Sequence, residues 1–270
     1  LRIPMKKTLV SLALVACAVT ACPIMAWEPT GTGGVVHFSG SLESKISSPW
    51  EVKTGEGGRG LDAIISEGMT EVDIPVNKAI PVLSIRVNNS EFFKSSDVTG
   101  LLPQISYGDS IVLGDFKNST TPVTLEVKDS KGDRIGKMTV ELLAYAESLY
   151  KVPGEGSYNR KLVGDDRNAA FFGGLPKTAS AVDEKSGRAR IFTVDRELYE
   201  HYPAWKQPVY QLPTGPEDFL DGGDTRRMYS AFYGAGIEEH KSIHITLDSP
   251  VRSGERIEWT ASLPVIVSYT

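Results

Sequence analysis

The 270-residue sequence predicts an all-β fold, a sandwich with an inserted loop-rich region, and three observations carry that reading. Short runs rich in Val, Ile, Thr and aromatic residues recur at close spacing, broken by Gly, Asn, Asp and Pro, with no regular helices between them. Gly (26) and Pro (16) exceed their usual share, so turns are many. A hydrophobic content of 40%, with 9% aromatics, suffices for a packed core in one all-β domain with an insertion or in two small domains.

The formal charge is −5. Residues 1–26 hold Arg2, Lys6 and Lys7 and no acid, so the remainder has three fewer cations and a net charge of −8. A mildly acidic body argues against a nucleic-acid partner, which would need a basic surface.

Met5-Lys6-Lys7 and the apolar run from Thr8 to Ala21 read as the basic and hydrophobic parts of a secretory signal, too short to span a bilayer. Residues 1–26 are assigned to it, with 1–4 lying upstream of the start and cleavage expected after Ala26. The mature chain then begins at Trp27. Cys17 and Cys22 both fall in the signal, which leaves no disulfide, thiol nucleophile or Cys metal site. Val19-Thr-Ala-Cys22 and Leu14-Val-Ala-Cys17 also fit a lipidation box, so a surface lipoprotein anchored through Cys22 is the rival reading. The n-region and short h-region are bacterial in style, and export to the periplasm or beyond is expected.

Along the mature chain, 27–46 is a Gly- and Ser-rich arm with one alternating run, Val36-His-Phe38-Ser-Gly40-Ser-Leu42. The first part of the sandwich, 47–149, holds strand signals at 50–53, 71–76, 80–87, 110–113, 122–128 and 135–146. Asp129-Ser-Lys-Gly132-Asp is a hairpin-type turn. Residues 150–233 contain 13 of the 23 aromatic residues and show no steady period; they are read as an insertion with one or two short helices, for example at 195–201. The C-terminal part, 234–270, returns to strands at 242–247 and 256–269.

No catalytic or metal constellation survives scrutiny. Gly55-Glu-Gly57-Gly-Arg-Gly60 has the spacing of a dinucleotide loop, but that chemistry needs a parallel βαβ unit, and a Gly-rich turn is the simpler account. His240 and His244 lie on a β-like stretch, about 13 Å apart at ~3.3 Å per residue, too far to share one metal. His37 and His201 have no Ser or Asp arrangement around them. Asp165-Asp166 and Asp221-Gly-Gly-Asp224 lack the spacing of a calcium loop and read as solvated turns. The protein is therefore expected to be no enzyme and to need no cofactor or metal.

The two ends hold the signal. At the C-terminus the odd positions read Trp259, Ala261, Leu263, Val265, Val267 and Tyr269, one apolar strand face. Pro264 within it cannot donate to a ladder, so one side should be an edge or irregularly paired. Its missing neighbour is expected from elsewhere in the fold or from another chain, and the 27–46 arm is a candidate.

Trp27, the run from Val36 to Leu42, Trp50-Glu-Val-Lys-Thr-Gly55, Phe171-Phe-Gly-Gly-Leu175, Tyr229-Ser-Ala-Phe-Tyr-Gly-Ala-Gly-Ile237 and Leu263-Pro-Val-Ile-Val-Ser-Tyr269-Thr together resemble subunits of K88-type chaperone-usher fimbriae of Gram-negative bacteria. The resemblance covers nearly the whole mature chain and is strongest at both ends; the insertion matches in patches. It implies an immunoglobulin-like sandwich lacking its last strand. Donor-strand complementation of pilins is itself an established example of strand addition. A periplasmic chaperone would lend a strand beside Leu263, Val265, Val267 and Tyr269. Assembly at an outer-membrane usher would replace it with the arm of a neighbouring subunit, through Val36, Phe38, Gly40 and Leu42. Three apolar side chains at ~1.5–3 kcal/mol each give about 5–9 kcal/mol, comparable to the ~5–15 kcal/mol stability of a domain. The resulting expectation is a structural subunit of an extracellular adhesive fimbria, exported through the periplasm. A second expectation, from a different class, is a glycan-binding adhesin in which Tyr199, Tyr202, Trp205 or Tyr210 offers a ring face to host glycans. The bland account of those rings is a small satellite core with subunit contacts.

Overall fold

The computed structural model describes residues 48–202, 209–220 and 222–270. The signal segment with Cys22, the arm with Val36, Phe38, Gly40 and Leu42, and Trp205 lie outside the described residues. In chain order the strands are β1 (Trp50–Thr54), β2 (Glu71–Pro75), β3 (Ile80–Val87), β4 (Phe93–Lys94), β5 (Pro103–Ser106), β6 (Thr120–Asp129), β7 (Arg134–Val152), β8 (Gly156–Lys161), β9 (Val209–Gln211), β10 (Met228–Ile237), β11 (Ser242–Leu247), β12 (Trp259–Thr260) and β13 (Ile266–Tyr269). One short helix, α1 (Gly187–Val194), sits between β8 and β9. No helix among the described residues is long and apolar enough to cross a membrane.

The strands form a curled, sandwich-like β-structure organised by the 19 residues of β7. Its first half pairs antiparallel with β6 on one side and β11 on the other, and β11 pairs with β2. The second half, Leu143 onward, pairs with β10, which continues to β3 and β1; β8 lies on the other side. A small second sheet joins β5 to β13, Ile266 facing Ser106 and Tyr269 facing Pro103.

Burial follows from what covers each face. Along β6, Thr121, Val123, Leu125 and Val127 are buried while Pro122, Thr124, Glu126 and Lys128 are exposed, the period of a strand with one wet face. In β7 that alternation stops at Leu142, and the next seven residues are all buried. Leu142, Ala144 and Ala146 enter the main core, whereas Leu143, Tyr145 and Leu149 face a second cluster with Ile191, Val194, Leu198, Tyr202 and Phe232. The helix therefore covers the outer face of the sheet. Gly234 and Gly236 of β10 let it approach: a Cβ on Gly234 would stand 2.5 Å from Ile191 Cγ1, and one on Gly236 2.5 Å from Val194 Cγ1.

A buried polar node pins α1 to the sheet. Glu147, 1% exposed, accepts hydrogen bonds from Tyr145 Oη (2.6 Å), Asn159 Nδ2 (3.1 Å) and Arg188 Nε (2.9 Å), and Asn159 also bonds Tyr202 Oη. Trp50, the first residue of β1, is ringed by Phe93, Phe171 and Phe219 at 5.2–5.8 Å, and its indole N–H donates to Leu101 O. Phe171 and Phe219 come from the long connection between β8 and β10, so that connection feeds the main core as well as the second cluster that holds Tyr202.

Several expectations need correction. Residues 110–113 form no strand; 3-10 turns flank a lone bridge between Ile111 and Val123. Positions 150 and 233 lie within β7 and β10, and the segment that joins those two strands is 153–227. The short helix expected at 195–201 is the 3-10 turn Arg196–Tyr199, with Asp195 accepting from the Glu197 N–H, and α1 precedes it, ending at Val194. The stretch 256–269 splits into β12 and β13 with an unpaired middle. Gly55 to Gly60 is a loop with left-handed Gly57 and Gly60, and no helix follows.

Candidate functional site: an open apolar groove

A groove of about 1020 Å³ opens among the described residues against the inner face of the sandwich. Strand periodicity supplies its floor. Alternate residues of β6 (Val123, Leu125, Val127), β7 (Met138, Val140, Leu142) and β11 (Ile243, Ile245, Leu247) point the same way, since neighbouring strands in register place their odd and even positions on common faces. Ile74 of β2 and Ile80 and Val82 of β3 extend the apolar surface. No ionisable side chain stands on this floor. Charge is confined to the border, at Asp62, Glu255, Arg256 and Glu258, of which Arg256 and Glu258 pair at 2.7 Å while both are largely exposed.

Two stretches complete the lining. One is the loop after β1, from Gly55 to Ile65; the other is the tail from Trp259 to Val265. The tail pairs with β6 only at Trp259 opposite Asp129 and Thr260 opposite Lys128. Residues 261–265 then have no strand assignment, and a second opening of about 290 Å³ separates Thr260, Ala261 and Ser262 from Thr124, Leu125 and Glu126. Pro264 contributes by removing one backbone donor.

Trp259, Ala261, Leu263, Val265 and Val267 are each half-buried and packed against the main core, while the even residues between them are exposed. Of the four residues expected at this site, Leu263 and Val265 line the groove and Val267 packs on the core beyond it. Tyr269 differs. It pairs with Pro103, is 40% exposed, and does not line the groove; partial burial holds its phenol above the ordinary tyrosine range. The donor residues Val36, Phe38, Gly40 and Leu42 lie outside the described residues.

The rings considered for sugar binding do not form one surface. Tyr202 is 3% exposed, set edge-on to Phe232 at 4.8 Å, and burial raises its phenol well above the ordinary value, so neither ring face is open. Tyr199 is half-buried at 5.5 Å from Phe192. Tyr210 is 63% exposed and lies 5.5 Å from Tyr158, which stacks on Tyr150 at 4.8 Å. Among the described residues no group of three or more His, Cys, Asp or Glu is placed to hold a metal. His244 Nδ1 meets Asp73 at 3.0 Å, and His240 sits in a turn with left-handed backbone.

Sequence reasoning missed the loop lining. Its one signal was the apolar cluster Leu61, Ala63, Ile64 and Ile65 following a Gly-rich turn, where a surface loop would be polar.

Comparison with known proteins gives this groove its context. The K88 minor fimbrial subunit FaeI of Escherichia coli is 28% identical over 276 residues, covering 98% of this chain and 100% of the relative. K88 fimbrial protein AD of Escherichia coli is 25% identical over 294 residues, with the same 98% and 100% coverage. The F41 fimbrial protein of Escherichia coli is 26% identical over 297 residues, again covering 98% and 100%. The K88 fimbrial family, described as "Fimbrial, major and minor subunit", matches residues 5–270. By that match over nearly its whole length, the chain belongs to the K88 family of major and minor fimbrial subunits, structural components of an extracellular fimbria.

Proposed function

We propose that this subunit enters its fimbria by strand exchange through the groove. A neighbouring subunit's 27–46 segment lies along it, with Val36, Phe38 and Leu42 as the inserted side chains and Gly40 at a shallow point. A periplasmic chaperone occupies the same place first, and an outer-membrane usher brings the subunits together. One observation supports this above the rest: an apolar groove of about 1020 Å³, filled by none of the described residues, borders a tail whose core-facing residues are only half-buried. Apolar area left in water forgoes about 25 cal/mol per Å², so a side chain such as Leu263 gains by being covered. The backbone of 261–265, which has no ladder partner among the described residues, offers the groups that an added strand needs.

Replacing Leu263 and Val265 together by Ser should abolish capture by the chaperone, read as loss of co-purification; unchanged capture would refute the groove assignment. Deleting 27–46 should leave a subunit that is still captured yet forms no fibres in electron micrographs. Fibres from that truncation would show that the donor lies elsewhere.

A further inference from the structure

The loop after β1 has a construction that lining a groove does not require. It is tied down at its two ends, where Gly55 N–H donates to Val82 O (2.9 Å) and Gly68 N–H to Val251 O (2.9 Å). Between them, residues 56–65 make no hydrogen bond with any described residue. Both ends are glycine hinges of different kinds. Gly55 is pressed onto the Pro81 carbonyl so closely that no Cβ fits, and Gly68 has a left-handed φ of 80°. Within the loop, Gly57 and Gly60 are also left-handed and have open space around them.

The side chains divide unequally. Leu61 packs on the main core. Ile64 borders the groove and yet is 98% exposed, the most exposed large apolar residue described. An isoleucine held almost entirely in water, on a segment without backbone bonds to the described residues and beside an apolar groove that none of them fills, has somewhere to go once the groove is filled.

We propose that residues 56–67 are a clasp that lies down on the inserted strand, with Ile64 as its contact residue. The occupant is the 27–46 segment of a second copy, so the inference rests on the strand-exchange reading. Bending about the two glycine hinges breaks no hydrogen bond of residues 56–65, and Ile64 exchanges water for the back of the new strand. Full burial of one such side chain corresponds to a ten- to hundredfold slower release of the occupant, on the order of magnitude expected for Ile.

The experiment uses the full chain and a labelled synthetic peptide of residues 27–44, which contains no Lys or Arg. Ile64→Ser should leave the unloaded protein's unfolding midpoint unchanged, because the residue is already exposed, while speeding peptide release about tenfold or more. Arg59, inside the clasp, supplies a second readout: bound peptide should slow trypsin cleavage there but not at Lys131, in the turn between β6 and β7. Equal release from Ile64→Ser and the natural chain, or cleavage at Arg59 that is unaffected by bound peptide, overturns the clasp alone. Failure of the natural chain to take up peptide at all overturns strand exchange and the clasp with it.

Discussion

Two apolar surfaces of one β-structure have met opposite fates. On the outer face of β7 and β10, the chain's own helix and 3-10 turn close over Tyr145, Leu149 and Phe232, and every buried member of that cluster is 7% exposed or less. On the inner face, the floor formed by β6, β7 and β11 opens onto the groove, and the tail beside it is left half-covered. Both surfaces need a cover for the same physical reason, the cost of apolar area in water. The 153–227 connection supplies it on one side. On the other side the described residues leave the floor open, and it is this surface that the strand-exchange proposal covers with a neighbour's strand.

The sharpest way to break the contrast is to open the closed side. Arg188→Met removes the cation from Glu147, which is 1% exposed, and should cost about 3–5 kcal/mol, read from urea unfolding. A matched pair tests both sides at once. Ile191→Ala, at a site 0% exposed, should cost about 2–5 kcal/mol, whereas Leu263→Ala should cost under about 2 kcal/mol until a strand fills the groove. Equal losses in the unloaded protein would erase the distinction between the surfaces. Gly234→Ala should cost about 1–3 kcal/mol through collision with Ile191 and Leu198, again by urea unfolding.

A smaller effect concerns acid. Burial pushes the Asp195 carboxyl up, but hydrogen bonds from Lys53 and Ser84 and from the Glu197 N–H outweigh it and hold the group below the ordinary aspartate range. A lowered native value means that its contribution is present above the unfolded aspartate range and is lost as pH falls through the native one. Unfolding midpoints of Asp195→Asn should therefore vary less with pH over the acid range than those of the natural chain. An unchanged slope would show that the contact between β1, β3 and the 3-10 turn does not depend on this charge.

How much of this was legible depends on how many faces of an element meet water. β6 was readable because Val123, Leu125 and Val127 alternate with polar or solvent-facing residues, and the tail was readable for the same reason. β10 was not: Tyr229 to Ile237 is buried throughout, so no period survives, and Gly234 and Gly236 are clearances for a helix. A short helix was readable at 195–201, where the 3-10 turn Arg196–Tyr199 lies, but α1 was not, because its buried side chains are only Ile191 and Val194, too few to set a pattern. Part of the site could be read and part could not. Leu263 and Val265 announced themselves in one strand, but the floor is assembled from strands far apart in sequence, and the role of 55–65 depends on where β1 ends in space.

β7 runs for 19 residues, about 60 Å at the usual rise, and belongs to both pairings at once. A molecule threaded on one uninterrupted rod has no seam along which its two ends could come apart separately. If a neighbour's strand fills the groove as proposed, stiffening at that end would reach the helix-clad end, and amide exchange along the rod should slow from end to end.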